Sequence, residues 1–150
     1  MTLPVLPPLR VYTDGASRDN PGAAAIGYVV CDAADDVLDE SLLGFPNPAG
    51  ATLGIASNNE AEYRAFLTVT TLLLDKFILS EVAFFSDSEL MIRQLSGVYK
   101  VKSAHLQVLH RDAQALLGKI PCKTLTSVPR SHPLIRRCDA LANAALDGAR

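Results

Sequence analysis

Ser57 to Phe77, SNNEAEYRAFLTVTTLLLDKF, is the stretch that most narrows what this chain can fold into. Phe66, Val69 and Leu73 recur at helical spacing and share one face, and Glu62 lies four, seven and eleven residues ahead of them. A carboxylate therefore heads the apolar stripe of a helix. That is costly to bury unless a cation or a hydrogen-bond donor meets it. Its neighbour Glu60 has a local use, because Ser57 to Glu60 has the spacing of a capping box. Glu60 is assigned to structure and Glu62 to function.

An amphipathic helix needs a partner layer, and the residues before it supply one. LRVYTD, AAAIGYVVC and VLDESLLGF read as three strands, broken by turn signals at Asn20-Pro21-Gly22 and Asp35-Asp36 and followed by a loop, PNPAGATLGIA. Beyond the helix, EVAFFS reads as a strand, DSELMIRQL and SAHLQVLHRDAQALLG as helices, CKTLTSV as a last strand and RRCDALANAALDG as a closing helix. The order βββαβααβα implies an α/β fold, a mixed sheet flanked by helices. The proline-rich start, LPVLPP, reads as an extended tail, so residues 1–8 are expected as a tail and 9–150 as a single domain.

The sequence contains no run of apolar residues long enough for a membrane span and no charged leader ahead of an apolar core. Cys31, Cys122 and Cys138 are odd in number and widely spaced, which fits a reducing cytoplasm better than a disulfide framework or a zinc site. Charge is uneven: residues 1–75 hold 3 Lys/Arg and 10 Asp/Glu, residues 76–150 hold 11 and 6. An acidic region suited to cations thus accompanies a basic region suited to phosphate.

Three further carboxylates sit where chemistry is commonly built. Asp14 ends the first strand, with Gly15 directly after it, although an Asp-Gly pair also serves plain turns. Asp87 follows VAFFS at a strand end, where it would equally suit a helix N-cap. Asp139 lies in the first turns of the last helix, on a face with Ala142 and Leu146, where the helix dipole alone would favour it. Brought together, Asp14, Glu62, Asp87 and Asp139 would repel one another unless divalent cations bound them. Oxygen ligands without a Cys or His cluster favour Mg²⁺ or Mn²⁺. Two such ions about 4 Å apart can drive in-line hydrolysis of a phosphodiester.

With these residues in view, the chain resembles the type 1 ribonuclease H family from about Leu9 to Asp147. The resemblance is carried by TDGASRDNPG, SNNEAEYRAF, SDSELMIRQLSGVYKVK and VPRSHPLIRRCDALANAAL. It implies a five-stranded mixed sheet in order 3-2-1-4-5. It also implies endonucleolytic cleavage of the RNA strand of an RNA/DNA hybrid, leaving 5′-phosphate and 3′-hydroxyl ends, with two Mg²⁺ ions when substrate is bound. By motif, Asp14, Glu62, Asp87 and Asp139 match the family's metal-binding carboxylates. Asn20, Asn58 and Asn59 match positions that look at the minor groove, and Ser57 a position near a DNA-strand phosphate. Short amides can read the 2′-hydroxyl that separates RNA from DNA. Lys100, Lys102 and His105, in GVYKVKSAH, would suit the phosphate backbone through charge.

The chain also departs from the family pattern. It has no Trp, and its basic connection is short, as in the compact branch without the Trp-rich protrusion. The loop before the last helix carries both Arg130 and His132, either of which could approach the scissile phosphate, Arg130 as a clamp and His132 as a proton carrier. Ile135 stands where many relatives have Asn, and Glu89 where Gln is frequent. The rival reading is a catalytically weak or inactive module of the same fold that binds hybrid or double-stranded RNA. No appended hybrid-binding domain and no obligate protein partner are expected.

Overall fold

The computed structural model describes residues 2–148. Its elements are β1 (Val5–Leu6), β2 (Leu9–Ser17), β3 (Gly22–Asp32), α1 (Glu40–Leu43), β4 (Ala49–Ala56), α2 (Asn58–Lys76), β5 (Ile78–Leu79), β6 (Glu81–Ser86), α3 (Glu89–Leu95), α4 (Ala104–Leu117), β7 (Cys122–Ser127) and α5 (Pro133–Gly148). The last expected residues, 149–150, lie outside the described range.

Alternation along β2 divides the molecule into two layers. Leu9 and Val11 join Tyr63, Phe66, Val69 and Leu73 of α2, Phe84 of β6 and Leu117 of α4 in the larger core. Tyr12 points the other way, into a smaller core with Val29, Cys31 and, from α5, Ile135 and Cys138. The main sheet runs β4-β3-β2-β6-β7, which is the expected 3-2-1-4-5 order once the short β1 and β5 are set aside. β2 is antiparallel to β3 from Leu9↔Asp32 to Ser17↔Ala24 and parallel to β6 from Leu9↔Val82 to Tyr12↔Phe85. Beyond Tyr12 the central strand keeps β3 and loses β6. The β2–β6 pairing thus ends just before Asp14, at the carboxyl ends of two parallel strands, where open sheets build sites.

Three local expectations are corrected. VLDESLLGF is not the third strand: Asp39 Oδ1 accepts from Ser41 N at 2.8 Å and starts the one-turn α1, Gly44 stops it in the left-handed region, and only Val37 bridges to Cys31. The third strand is instead β4, inside the stretch read as loop. Its small residues hid it, and packing explains them, since a Cβ at Gly50 would stand 2.2 Å from Leu141 O of α5. Order also begins before Leu9, because Val5–Leu6 pair in parallel with Ile78–Leu79 and Leu6 is buried. Finally, α5 starts at Pro133 rather than Arg136, so Asp139 lies beyond the first turn and outside the strongest reach of the helix dipole.

The contact between α5 and the sheet should therefore fail by overpacking. Gly50→Val is expected to lower unfolding free energy by about 2–3 kcal/mol in urea titrations, whereas Gly148→Ala, where a Cβ meets nothing within 4 Å, should leave the midpoint unchanged.

Candidate metal centre between the central strands

Asp14 stands on β2 just past the last β2–β6 pair, and Asp87 follows the end of β6. Glu62 comes from the first turns of α2. One carboxylate oxygen from each of these three lies within 4.8 Å of the others. The approach of β2 to α2 makes this possible: a Cβ on Gly15 would fall 2.2 Å from the Ala61 carbonyl carbon, so only glycine admits the contact. The same approach lets Gly15 N donate to Glu62 Oε1 at 2.7 Å.

All three carboxylates are shielded from water, with Asp14 5% and Glu62 9% exposed and the Asp87 side chain 8% exposed. Ser88, not Asp87, caps α3, its Oγ accepting from Met91 N. Asp87 is thus not consumed by the helix start, and its Oδ1 is buried with no hydrogen-bond partner. Its Oδ2 lies 3.3 Å from Arg130 Nε, but that guanidinium is 89% exposed. Pairs of this kind contribute about 1 kcal/mol at most, too little to hold three carboxylates together.

The acid–base consequences are large. Burial first, then the charges of Asp87 and Asp139, pushes the Asp14 carboxyl up to about 8. Burial, followed by Asp14 and Asp87, raises Glu62 well above the ordinary carboxylate range, against a smaller opposing effect of the Gly15 amide. An oxygen-only cluster with an orphaned buried oxygen fits a hard divalent cation.

Asp139 stands at the rim. It is exposed and outside the trio, yet close enough for its charge to raise Asp14. Asn143 Nδ2 donates to Asp139 Oδ1 at 3.2 Å and to Asp139 O at 2.9 Å, while Asn143 Oδ1 accepts from Arg18 at 3.3 Å. Asn143 and Arg18 escaped the sequence reading. The i, i+4 spacing from Asp139 was the available signal for the first, and nothing local reveals the second.

The other expected residues separate into groups. Asn20 Oδ1 accepts from Asn58 N, and Asn58 Oδ1 from Ser17 N, both at 2.9 Å. Their side-chain oxygens tie the end of β2 and the turn after it to the start of α2, so what each can offer a ligand is its amide NH₂. Ser57 caps α2 through Glu60 N at 3.1 Å, and Asn59 is exposed beside it. Lys100 and Lys102 line a groove of about 560 Å³ with Gln94, Tyr99 and Leu106. His105 Nε2 lies 2.9 Å from Glu60 Oε2, and this contact holds Glu60 below its usual range. Arg130 reaches the carboxylates. The His132 ring instead packs at a tilt against Tyr12, and its Nδ1 accepts from Leu134 N at 3.2 Å. Ile135 is wholly buried, and Glu89 pairs with Arg93 at 2.7 Å, which neutralises its extra charge.

Residues 12–145 match the family described as Reverse transcriptase-like. The chain is 36% identical over 141 residues to the Ribonuclease HI of Halobacterium salinarum, covering 94% of this chain and 65% of that protein. A solved N-terminal RNase H domain from Mycobacterium tuberculosis superposes with a TM-score of 0.83 at 34% identity, covering 96% of each chain. The LC11-RNase H1, crystallised in complex with an RNA/DNA hybrid, gives 0.80 at 34% identity, over 94% of this chain and 98% of that one. The chain spans about two thirds of the Halobacterium protein and 35% of the full mycobacterial bifunctional protein.

The cluster carries a pH signature that needs no substrate. Between the carboxyl's ordinary value near 3.8 and about 8, the folded chain holds the Asp14 proton more tightly than the unfolded chain. Stability without divalent ions therefore falls as pH rises through that window. In EDTA, Tm is expected to drop from pH 5 to pH 8 more steeply for the wild type than for Asp14→Asn. Added Mg²⁺ should restore Tm at pH 8 in the wild type and far less in the variant. Parallel pH curves for the two proteins would refute the assignment.

Proposed function

Because the chain belongs to the reverse transcriptase-like family, in its type 1 ribonuclease H branch, we propose that it is an endonuclease. It hydrolyses the RNA strand of RNA/DNA hybrids and leaves 5′-phosphate and 3′-hydroxyl ends. The observation that carries this reading is the buried trio Asp14, Glu62 and Asp87, with the orphaned Asp87 Oδ1. These three, joined at the rim by Asp139, would hold Mg²⁺, for which Mn²⁺ could substitute. Divalent ions bound there supply activation of water and neutralisation of charge at the phosphodiester.

The chain's own groups do the rest. The Asp14 and Glu62 carboxyls, disposed to stay protonated by burial and mutual repulsion, would have to give up those protons to act as ligands. The Asn20, Asn58 and Asn59 amides face the minor groove and select for 2′-hydroxyls, while Ser57 meets a DNA-strand phosphate. Lys100 and Lys102 attract the backbone without reading sequence. Arg130, beside Asp87, is positioned to clamp the phosphate under attack. A cytoplasmic setting agrees with three free cysteines, two of them buried. Among the described residues no helix is long and apolar enough to cross a membrane. In this reading the described residues from Val5 onward act as one domain.

An end-labelled RNA/DNA hybrid tests the proposal beside matched RNA/RNA and DNA/DNA duplexes, each with Mg²⁺, Mn²⁺ or EDTA. Cutting of the hybrid's RNA strand should require metal and fall more than about 100-fold in Asp14→Asn and Glu62→Gln, since even outer partners of metal ligands cost up to that much. Wild-type binding without cutting would favour the non-catalytic module. Lys100→Ala and Lys102→Ala should instead weaken hybrid binding uniformly across sequences. Each should lower the slope of log affinity against log salt by about one.

A further inference from the structure

The two candidates in the loop before α5 have unlike surroundings. At one end of a ring stack, His132 lies 5.1 Å from Tyr12, centroid to centroid, with the planes 30° apart. Tyr12 in turn stacks on Phe85 at 4.7 Å and 14°, and the Arg10 guanidinium covers Phe85 at 4.6 Å. Asp35 Oδ1 locks the far end, accepting from Tyr12 Oη at 2.8 Å and Arg10 Nε at 2.6 Å. Tyr12 is wholly buried on β2, two residues before Asp14, so the stack is rooted in the strand that carries the site.

His132 is correspondingly tied down. Its Nδ1 accepts from Leu134 N at 3.2 Å, its carbonyl from Arg136 N at 2.9 Å, and its own N–H reaches Pro129 O at 3.0 Å. A proton carrier needs a ring that can turn toward substrate, and this one leans on Tyr12 at a 30° tilt and has one nitrogen occupied. Arg130 is the opposite case: 89% exposed, it has little packing of its own, so its reach to Asp87 depends on where the loop backbone is held. At the other end of that loop, Val128 N donates to Ser86 O at 2.9 Å.

We propose that His132 is a positioning residue: its ring docks the loop on Tyr12 and thereby presents Arg130 to Asp87 and to the phosphate cleaved there. The kinetic part of this inference rests on the ribonuclease reading; the docking part does not. Three substitutions separate the roles. His132→Phe keeps a ring without a transferable proton, His132→Asn keeps a cap acceptor without a ring, and His132→Ala removes both.

The docking arm uses ¹⁵N relaxation on the intact chain. Order parameters of Arg130 to His132 should fall in His132→Ala and His132→Asn and stay at the wild-type level in His132→Phe. In hybrid cleavage, His132→Ala and His132→Asn should lose about tenfold in kcat/KM, the most that one ring contact can transmit. His132→Phe should retain near wild-type activity with an unchanged pH profile. The loss should vanish in an Arg130→Ala background, because both changes would then remove one effect. His132→Phe as impaired as His132→Ala, with a limb missing from the pH profile, would identify a proton carrier and overturn the proposal. So would losses additive with Arg130→Ala, or order parameters indifferent to the ring. A wild type that cuts nothing would sink the ribonuclease reading, and the relaxation arm would still decide the docking.

Discussion

The approach of Gly15 to the start of α2 is the constraint on which the rest of this structure depends. Because no Cβ intervenes, the backbones of β2 and α2 touch, and the Gly15 amide donates to Glu62 at 2.7 Å. One neutral donor stabilises a carboxylate, but it does not offset burial beside two more acids. The larger core draws α2 onto the sheet through Phe66, Val69 and Leu73, and the same packing carries Glu62 against Asp14. Apolar burial thus forces together groups whose charges oppose it. Hard cations bound there would resolve the conflict, and the affinity of such a site would be a product of the fold's own packing.

The two layers of the sheet divide the labour. The α2 face supplies most of the buried apolar surface and one carboxylate. The α5 face is thinner, built on Tyr12, Cys31, Ile135 and Cys138, and it brings the loop with Arg130 and the rim carboxylate Asp139. Rigid ligands therefore come from the centre, where β2 and β6 diverge, and exposed groups come from the periphery. Carboxylates meant to hold a cation gain from being fixed in advance, which the packed centre provides.

Much of this was legible in the sequence, and the exceptions have physical causes. Alternation and β-branching revealed β2, β3, β6 and β7, and helical spacing revealed α2 with Glu62 at its head. Asp87 was ambiguous because a strand end is also a helix start; the ambiguity dissolves once Ser88 takes the cap. β4 was missed because Ala49-Gly50-Ala51 carry almost no hydrophobic signal, and their smallness answers to a helix that lies elsewhere in the chain. VLDESLLGF carried that signal without being a strand, since Asp39 and Gly44 bracket a turn of helix more strongly than Val37 and Leu38 favour extension. The ring stack beneath His132 was invisible for the same reason as β4. Its members, residues 12, 85 and 132, are brought together only by the parallel pairing of β2 with β6 and by the docking of α5.

Ile135 shows how a departure from the family pattern can be absorbed. The family resemblance leads one to expect an Asn at that position, four residues before Asp139. Here it is wholly buried against Tyr12 and Cys138, where an amide would need partners that an apolar cluster lacks. The donor to Asp139 comes from the other side, four residues later, where Asn143 is only half-buried and Arg18 can hold its carbonyl oxygen. One turn of helix before or after Asp139 lies on a similar face, so a donor at either place can meet the same carboxylate. The smaller core gains a well-packed side chain, the rim carboxylate keeps a donor, and the turn bearing Arg18 becomes joined to α5. What the family signature loses at one position, helical periodicity can supply at another.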